Sequence, residues 1–306
     1  MPAKFWFKWQ RLRATLRAAF GVQEQSAESA HRMCPHCRGL IGRDTSLCPL
    51  CGASVRAPRA RAGAASDRVL GGLIPLPSTA TSALVAANVI LYALGWYLTG
   101  KGGESGAVAS MGDIDPGVLI RLGAKFGPLI VSGEWWRLVT AIFLHAGLIH
   151  IGMNLWCLID LGPTVEQLFS TTKFVVLFLV TGVIGFIFSL VWSPYGLSIG
   201  ASGSVLGLIG VLMGATFHHG QFGREYRSQL WRWVIFIAVI GLFSRTDNAA
   251  HLGGLVSGLA LGYFVPEGEP ETRTSETVWN ALALISVLII AASFALMALQ
   301  LNRPVG

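Results

Sequence analysis

Charge is scarce in this sequence of 306 residues: Asp, Glu, Lys and Arg together make up only 13% of it, about half the share of a soluble globular chain. That scarcity argues against a water-solvated surface over the whole chain. A cleavable secretion signal is also missing from the opening residues. The stretch Lys4-Phe-Trp-Phe-Lys-Trp-Gln-Arg-Leu-Arg-Ala-Thr-Leu-Arg17 has no unbroken apolar core. It reads instead as a short basic amphipathic helix that can lie in lipid headgroups, with a disordered basic tail as the alternative. The net charge of +7 comes with no basic stripe on a recognisable nucleic-acid module, so no nucleic-acid partner is expected. Cysteine is sparse as well, at five residues.

What is abundant is apolar sequence: 53% of residues are hydrophobic and the mean hydropathy is +0.58, the signature of a membrane protein. Seven runs approach bilayer-spanning length: Thr79 to Leu98, a run ending near Asp160, Phe174 to Trp192, Ile199 to Phe217, Leu230 to Phe243, Ala249 to Val265, and Val278 to Leu301. Basic residues set the orientation. With the N-terminus inside, the basic residues of the first 78 positions and Lys173, Arg224, Arg227, Arg232 and Arg273 are cytoplasmic. Lys101, Arg121, Lys125, Arg137, Arg245 and Arg303 are then outside. The expected protein is integral and multi-pass, in a plasma or bacterial inner membrane, with a cytoplasmic N-terminus.

Four of the cysteines form two knuckles, Cys34-Pro-His-Cys37 and Cys48-Pro-Leu-Cys51-Gly52. Two Cys-x-x-Cys pairs at this separation can close a thiolate tetrahedron round one structural zinc ion. The alternative, two disulfides, requires an oxidising compartment, whereas the topology puts these residues in the reducing cytoplasm. Cys157 stands alone in a span and reads as a packing residue. From Ala53 to Asp67 the chain is mostly Ala, Arg, Gly, Ser and Pro, a flexible linker.

Polar side chains inside a membrane are costly and point to function. Ser202 and Ser204 lie near the start of one span and His251 near the start of another. At about 1.5 Å per residue, Ser202 and His251 fall within roughly 5 Å of one depth. Rows of small residues, Gly200, Gly203, Gly207 and Gly210 on one helix and Gly253, Gly254, Gly258 and Gly262 on the other, allow close approach. A histidine that takes a serine proton and returns it to a leaving group suffices in kind for acyl transfer. His150 and Asn154, at i and i+4, project from one helix face and can both donate to developing negative charge, or serve only as interhelical hydrogen-bond glue.

Gly200-Ala-Ser202-Gly203, Ala250-His251-Leu-Gly-Gly254, His145-Ala-Gly-Leu-Ile-His150-Ile-Gly-Met-Asn154 and Glu134-Trp-Trp-Arg137 together resemble the rhomboid family of intramembrane serine proteases, from about Arg121 to Gly262. The resemblance implies a six-helix core with Ser202 as nucleophile and His251 as general base. It also implies an oxyanion site made by His150, Asn154 and the backbone N–H of Ser202. The second span should then begin near Gly147, with Trp135 to His145 as a partly embedded outer loop and Trp135, Trp136 and Arg137 as interface anchors. His145 is supportive and Glu166 ties a loop together. Asp247, four residues before His251, can be read as a third triad member or as the cap of the incoming helix, with Asn248 as the competing cap, and the cap is the expected role. Ser204 becomes a packing hydroxyl able to bond back to its own helix. Leu206 stands where many family members carry an aromatic that packs on the imidazole.

The expected architecture is an all-α polytopic membrane protein, a rhomboid-like six-helix core plus one C-terminal helix, with a small cytoplasmic zinc ribbon. The segments are 1–26 basic and amphipathic, 27–55 zinc ribbon, 56–78 linker, 79–265 core, and 266–306 acidic linker with the seventh helix. Expected partners are the lipid bilayer, transmembrane protein substrates, and a cytoplasmic partner for the zinc ribbon. No cofactor is expected for catalysis. The competing reading is an inactive rhomboid-like protein or scaffold that binds membrane helices.

Overall fold

The computed structural model describes residues 31–33, 40–42, 48–52, 68–69, 74–75, 78–101, 112–243 and 246–301. The chain divides into two compact units, Met1–Leu76 and Pro77–Gly306. The basic segment 1–26, Cys34, Cys37 and most of the linker lie outside the described residues.

In the first unit, β1 (His31–Met33) and β2 (Leu40–Gly42) pair antiparallel, with Met33 opposite Leu40. Cys34 and Cys37 therefore fall in the sequence between two paired strands. The second knuckle is a tight turn in which the Gly52 N–H donates to the Cys48 carbonyl at 2.9 Å. Cys48 is buried and Cys51 exposed. Within the linker, β3 (Arg68–Val69) pairs with β4 (Ile74–Pro75).

The second unit is helical. Its long elements are α1 (Thr79–Lys101), α5 (Leu148–Phe169), α6 (Thr171–Trp192), α7 (Ser202–Ala215), α8 (Gly220–Phe243), α9 (Asn248–Phe264) and α10 (Arg273–Gln300). The first span and the later ones are joined through a platform of short helices, α2 (Pro116–Arg121), α3 (Gly127–Val131) and α4 (Arg137–Thr140), the last followed by a 3-10 turn. Of the long helices, α1, α5, α6 and α10 are each long and apolar enough to cross a membrane.

Two spans differ from the sequence expectation. Helix α7 starts at Ser202 rather than Ile199, because Gly200 adopts φ +119° and the chain before it is a loop. Helix α8 starts at Gly220, ten residues before Leu230, because a polar stretch continues the same helix. At about 1.5 Å per residue α7 is only ~21 Å long, shorter than α5, α6, α8 and α9. All of Gly203–Ala215 is buried, which fits a helix that is apolar on every side.

Helix α9 packs on α7 through glycine. A Cβ on Gly254, Gly258 or Gly262 would lie 2.0 Å from the carbonyl oxygen of Gly203, Gly207 or Val211. Gly253 instead faces Phe188 of α6. At the opposite end of the bundle Glu166 accepts from the N–H groups of Ala80 and Thr81 at 3.2 and 3.1 Å and from Thr171 Oγ1 at 2.8 Å. It thereby caps α1 and ties it to the α5–α6 turn. In the platform only Trp135 is an exposed anchor, at 52%; Trp136 and Arg137 are buried, at 2% and 4%. Arg137 donates to Glu134 at 2.5 Å and to the Ile120 and Ala124 carbonyls at 2.6 and 3.1 Å. The Ile120 carbonyl lies in the last turn of α2, where it also accepts from the Gly123 N–H at 3.1 Å, and the Ala124 carbonyl follows that helix, so one guanidinium nitrogen ties α4 to the end of α2.

Candidate active site

Ser202 is the first residue of α7 and is reached through the loop of residues 193–201. The Gly200 N–H donates to the Ala141 carbonyl at 2.8 Å, which pins this loop to the platform. A side chain at Gly200 is excluded twice: its φ of +119° is left-handed, and a Cβ there would lie 2.7 Å from His150 Nε2. The missing side chain is what lets the His150 imidazole lean over the loop toward Ser202.

His251 enters from α9, and its Nε2 lies 2.7 Å from Ser202 Oγ. The two side chains are 49 residues apart in sequence, and the glycine contact between α7 and α9 closes that distance. His251 Nδ1 has no hydrogen-bond partner among the described residues. Asp247, one turn before it, accepts from the Ala250 N–H at 3.0 Å and from Ser189 Oγ. Asp247 is therefore the cap of α9, ahead of Asn248, and does not make a third member on the imidazole.

His150 and Asn154 stand one turn apart on α5. The Ala146 N–H donates to His150 Nδ1 at 3.4 Å, an arrangement that leaves the ring proton of the neutral imidazole on Nε2, the atom beside Gly200. Asn154 Nδ2 donates to the His150 carbonyl at 2.8 Å. Helix α5 has Gly147 as its N-cap, where the sequence places the start of the second span. His145 is fully buried, its ring edge-on to that of His150 with centroids 5.0 Å apart.

Ser204 departs from its expected bonding. It is fully buried, and its Oγ makes no hydrogen bond to its own helix or to any other described residue. A Cβ on Gly182 of α6 would lie 2.2 Å from that oxygen, so Ser204 fills the gap that Gly182 leaves. Leu206 is buried at 4% exposure. The aromatic ring next to α9 near this level is Phe188, packed on Gly253.

Sequence reasoning passed over Lys125 and Ser189. Lys125 reads as an ordinary outer-loop cation, yet it is fully buried, and its Nζ donates to the carbonyls of Ser189, Ser193 and Gly196 at 3.2, 2.5 and 3.2 Å. Nothing in the spacing around it signals this, because its partners are backbone carbonyls of a distant loop.

A family model described as the Rhomboid domain matches residues 132–267, the stretch that holds His150, Asn154, Ser202 and His251. Among similar proteins, the rhomboid protease GluP of Bacillus subtilis is 36% identical over 152 residues, 48% of this chain and 29% of that protein. The mitochondrial RHOMBOID-like protein 6 of Arabidopsis thaliana is 36% identical over 151 residues, 48% of this chain and 49% of its own length. The chain thus spans half or less of these two relatives. It covers 69% of the rhomboid protein YdcA of Bacillus subtilis, at 32% identity over 137 residues. With the helical bundle, the site residues and this coverage all in agreement, the chain belongs to the rhomboid family, as an all-α, multi-pass integral membrane protein.

Proposed function

We propose that the chain is an intramembrane serine endopeptidase that cleaves transmembrane proteins near the outer membrane face. The observation that carries this reading is the 2.7 Å contact between Ser202 Oγ and His251 Nε2 at the N-terminal end of a short, buried helix. Ser202 is the nucleophile and His251 the general base. His251 takes the Oγ proton as oxygen attacks the scissile carbonyl, then returns it to the leaving amine when the C–N bond breaks. Water resolves the acyl-enzyme by the same route. The oxyanion is held by His150, Asn154 and the Ser202 N–H, reinforced by the positive end of the α7 dipole.

Substrate helices must unwind locally, because an intact helix keeps its carbonyls in hydrogen bonds.

Cleavage of a transmembrane reporter in proteoliposomes tests the dyad. Ser202→Ala and His251→Ala are expected to lower the rate by at least about 10³-fold, and His150→Ala or Asn154→Ala by ~10²- to 10³-fold. Unchanged cleavage in Ser202→Ala would sink the reading.

Cys34, Cys37, Cys48 and Cys51 are the residues that would hold a structural zinc ion. The turn closed by Gly52 at φ +71° and the paired strands flanking the first knuckle support this assignment. Bound there, zinc would supply the folding free energy that so small a unit lacks. Metal analysis should find one zinc per chain, and retention of that ratio in Cys34→Ser/Cys48→Ser would count against it.

A further inference from the structure

A serine–histidine pair without a third member has no side chain to aim the imidazole, so the separation of Ser202 and His251 rests on backbone placement. The α7–α9 contact is made by backbone over glycine and includes no side chain that reaches the imidazole. The open ends of the two helices, where the pair sits, need a separate tether.

That tether is visible at the end of α6. The buried Lys125 ammonium donates to the Ser189 carbonyl in the last turn of α6 and to the Ser193 and Gly196 carbonyls in the loop leading to Ser202. The C-terminal end of a helix favours a cation. The Lys125 backbone also pairs with Ser198 in both directions, at 3.0 and 3.1 Å. Ser189, fully buried, offers its hydroxyl to the Asp247 carboxylate, and Asp247 holds the Ala250 N–H at 3.0 Å, immediately before His251. Burial pulls the Lys125 pKa below its usual value, and the Asp247 charge opposes that pull. Burial pushes the Asp247 carboxyl up, but Ser189, the Ala250 N–H and Lys125 outweigh it and hold the carboxyl below its usual range. With Lys125 on the Ser189 carbonyl and Asp247 on the Ser189 hydroxyl, Ser189 joins the nucleophile loop to the base helix in one continuous connection.

We propose that Lys125, Ser189 and Asp247 are positioning residues that clasp the loop carrying Ser202 to the helix carrying His251 and so set the distance between the reacting atoms. None of them touches substrate, and the inference rests on the dyad reading above. Misplacement of about 1 Å at the reacting atoms is enough to cost ~10²-fold in rate.

The test uses the full chain in proteoliposomes, with reporter kinetics and the rate of fluorophosphonate labelling at Ser202. Ser189→Ala and Asp247→Asn are expected to lower kcat and the labelling rate constant by ~10- to 100-fold, with KM within about twofold and the labelled fraction unchanged. Because the two share one hydrogen bond, the double variant should be no worse than the poorer single one. Lys125→Met, which leaves three carbonyls unpaired, is read only by the rate constant of its folded fraction and should be slowed likewise. A merely structural role would lower the labelled fraction and the melting temperature while leaving the rate constant at the wild-type value, and that result overturns the clasp. Wild-type kinetics in all three variants also overturns it, with the dyad intact. Absence of Ser202-dependent labelling in the wild type overturns both readings.

Discussion

Gly200 shows how one absent atom shapes the site. Its φ of +119°, and the mere 2.7 Å that would separate a Cβ there from His150 Nε2, mean that any side chain strains the loop and displaces the imidazole together. Gly200→Ala should therefore lose ~10- to 100-fold in cleavage while the bundle still folds, because the loop lies outside the packed glycine row. Wild-type activity in that variant would show that His150 has room to move. At the same scale the two serines part company: Ser202 meets His251, whereas Ser204 is buried against Gly182. The motif Gly-x-Ser-Gly was enough to single out Ser202. The sequence did not reveal that Ser204 Oγ lacks a hydrogen bond, since that depends on how closely α6 approaches.

Helices α7 and α9 are legible as glycine-rich spans, but their contact is more selective than the spacing suggests. Gly254, Gly258 and Gly262 face α7, while Gly253 turns to Phe188. At Gly258 a Cβ would lie 2.0 Å from the Gly207 carbonyl oxygen, and backbone cannot yield as a side-chain tip can. Gly258→Leu should separate the helices, with a loss of more than about 3 kcal/mol in folding stability and of cleavage, read by thermal unfolding in detergent. An unshifted melting temperature would contradict the close contact. Helix α10 serves the platform: Phe294 packs edge-on to Phe143 at 5.5 Å, and Arg121 donates to the Leu301 carbonyl at 2.9 Å. Its accessory packing role follows from an apolar run after an acidic linker, but its contact with the platform does not.

For the molecule as a whole, the orientation we propose, with the N-terminus inside, rests on the distribution of charge, and burial sharpens the bias. Lys125 and Arg137, counted among the outside cations, are buried at 0% and 4% exposure and spend their charge on carbonyls and on Glu134. Removing them from the comparison strengthens the excess of basic residues on the N-terminal side. A tag on the N-terminus should be protected from external protease in intact cells and a tag on the C-terminus cleaved. The reverse pattern would overturn the orientation and, with it, cleavage at the outer face.

The sequence by itself determined the membrane environment, the number of long helices and the two cysteine knuckles, and it pointed to the serine and histidines of the proposed site, because hydropathy and local spacing are properties of neighbouring residues. Tertiary structure decided the rest. It began α7 at Ser202, brought His251 to 2.7 Å across 49 residues, turned Trp136 and Arg137 from interface anchors into core, and buried Lys125 among carbonyls. Each of these depends on backbone groups of distant segments, and every residue type presents the same carbonyl, so no pattern of side chains announces them.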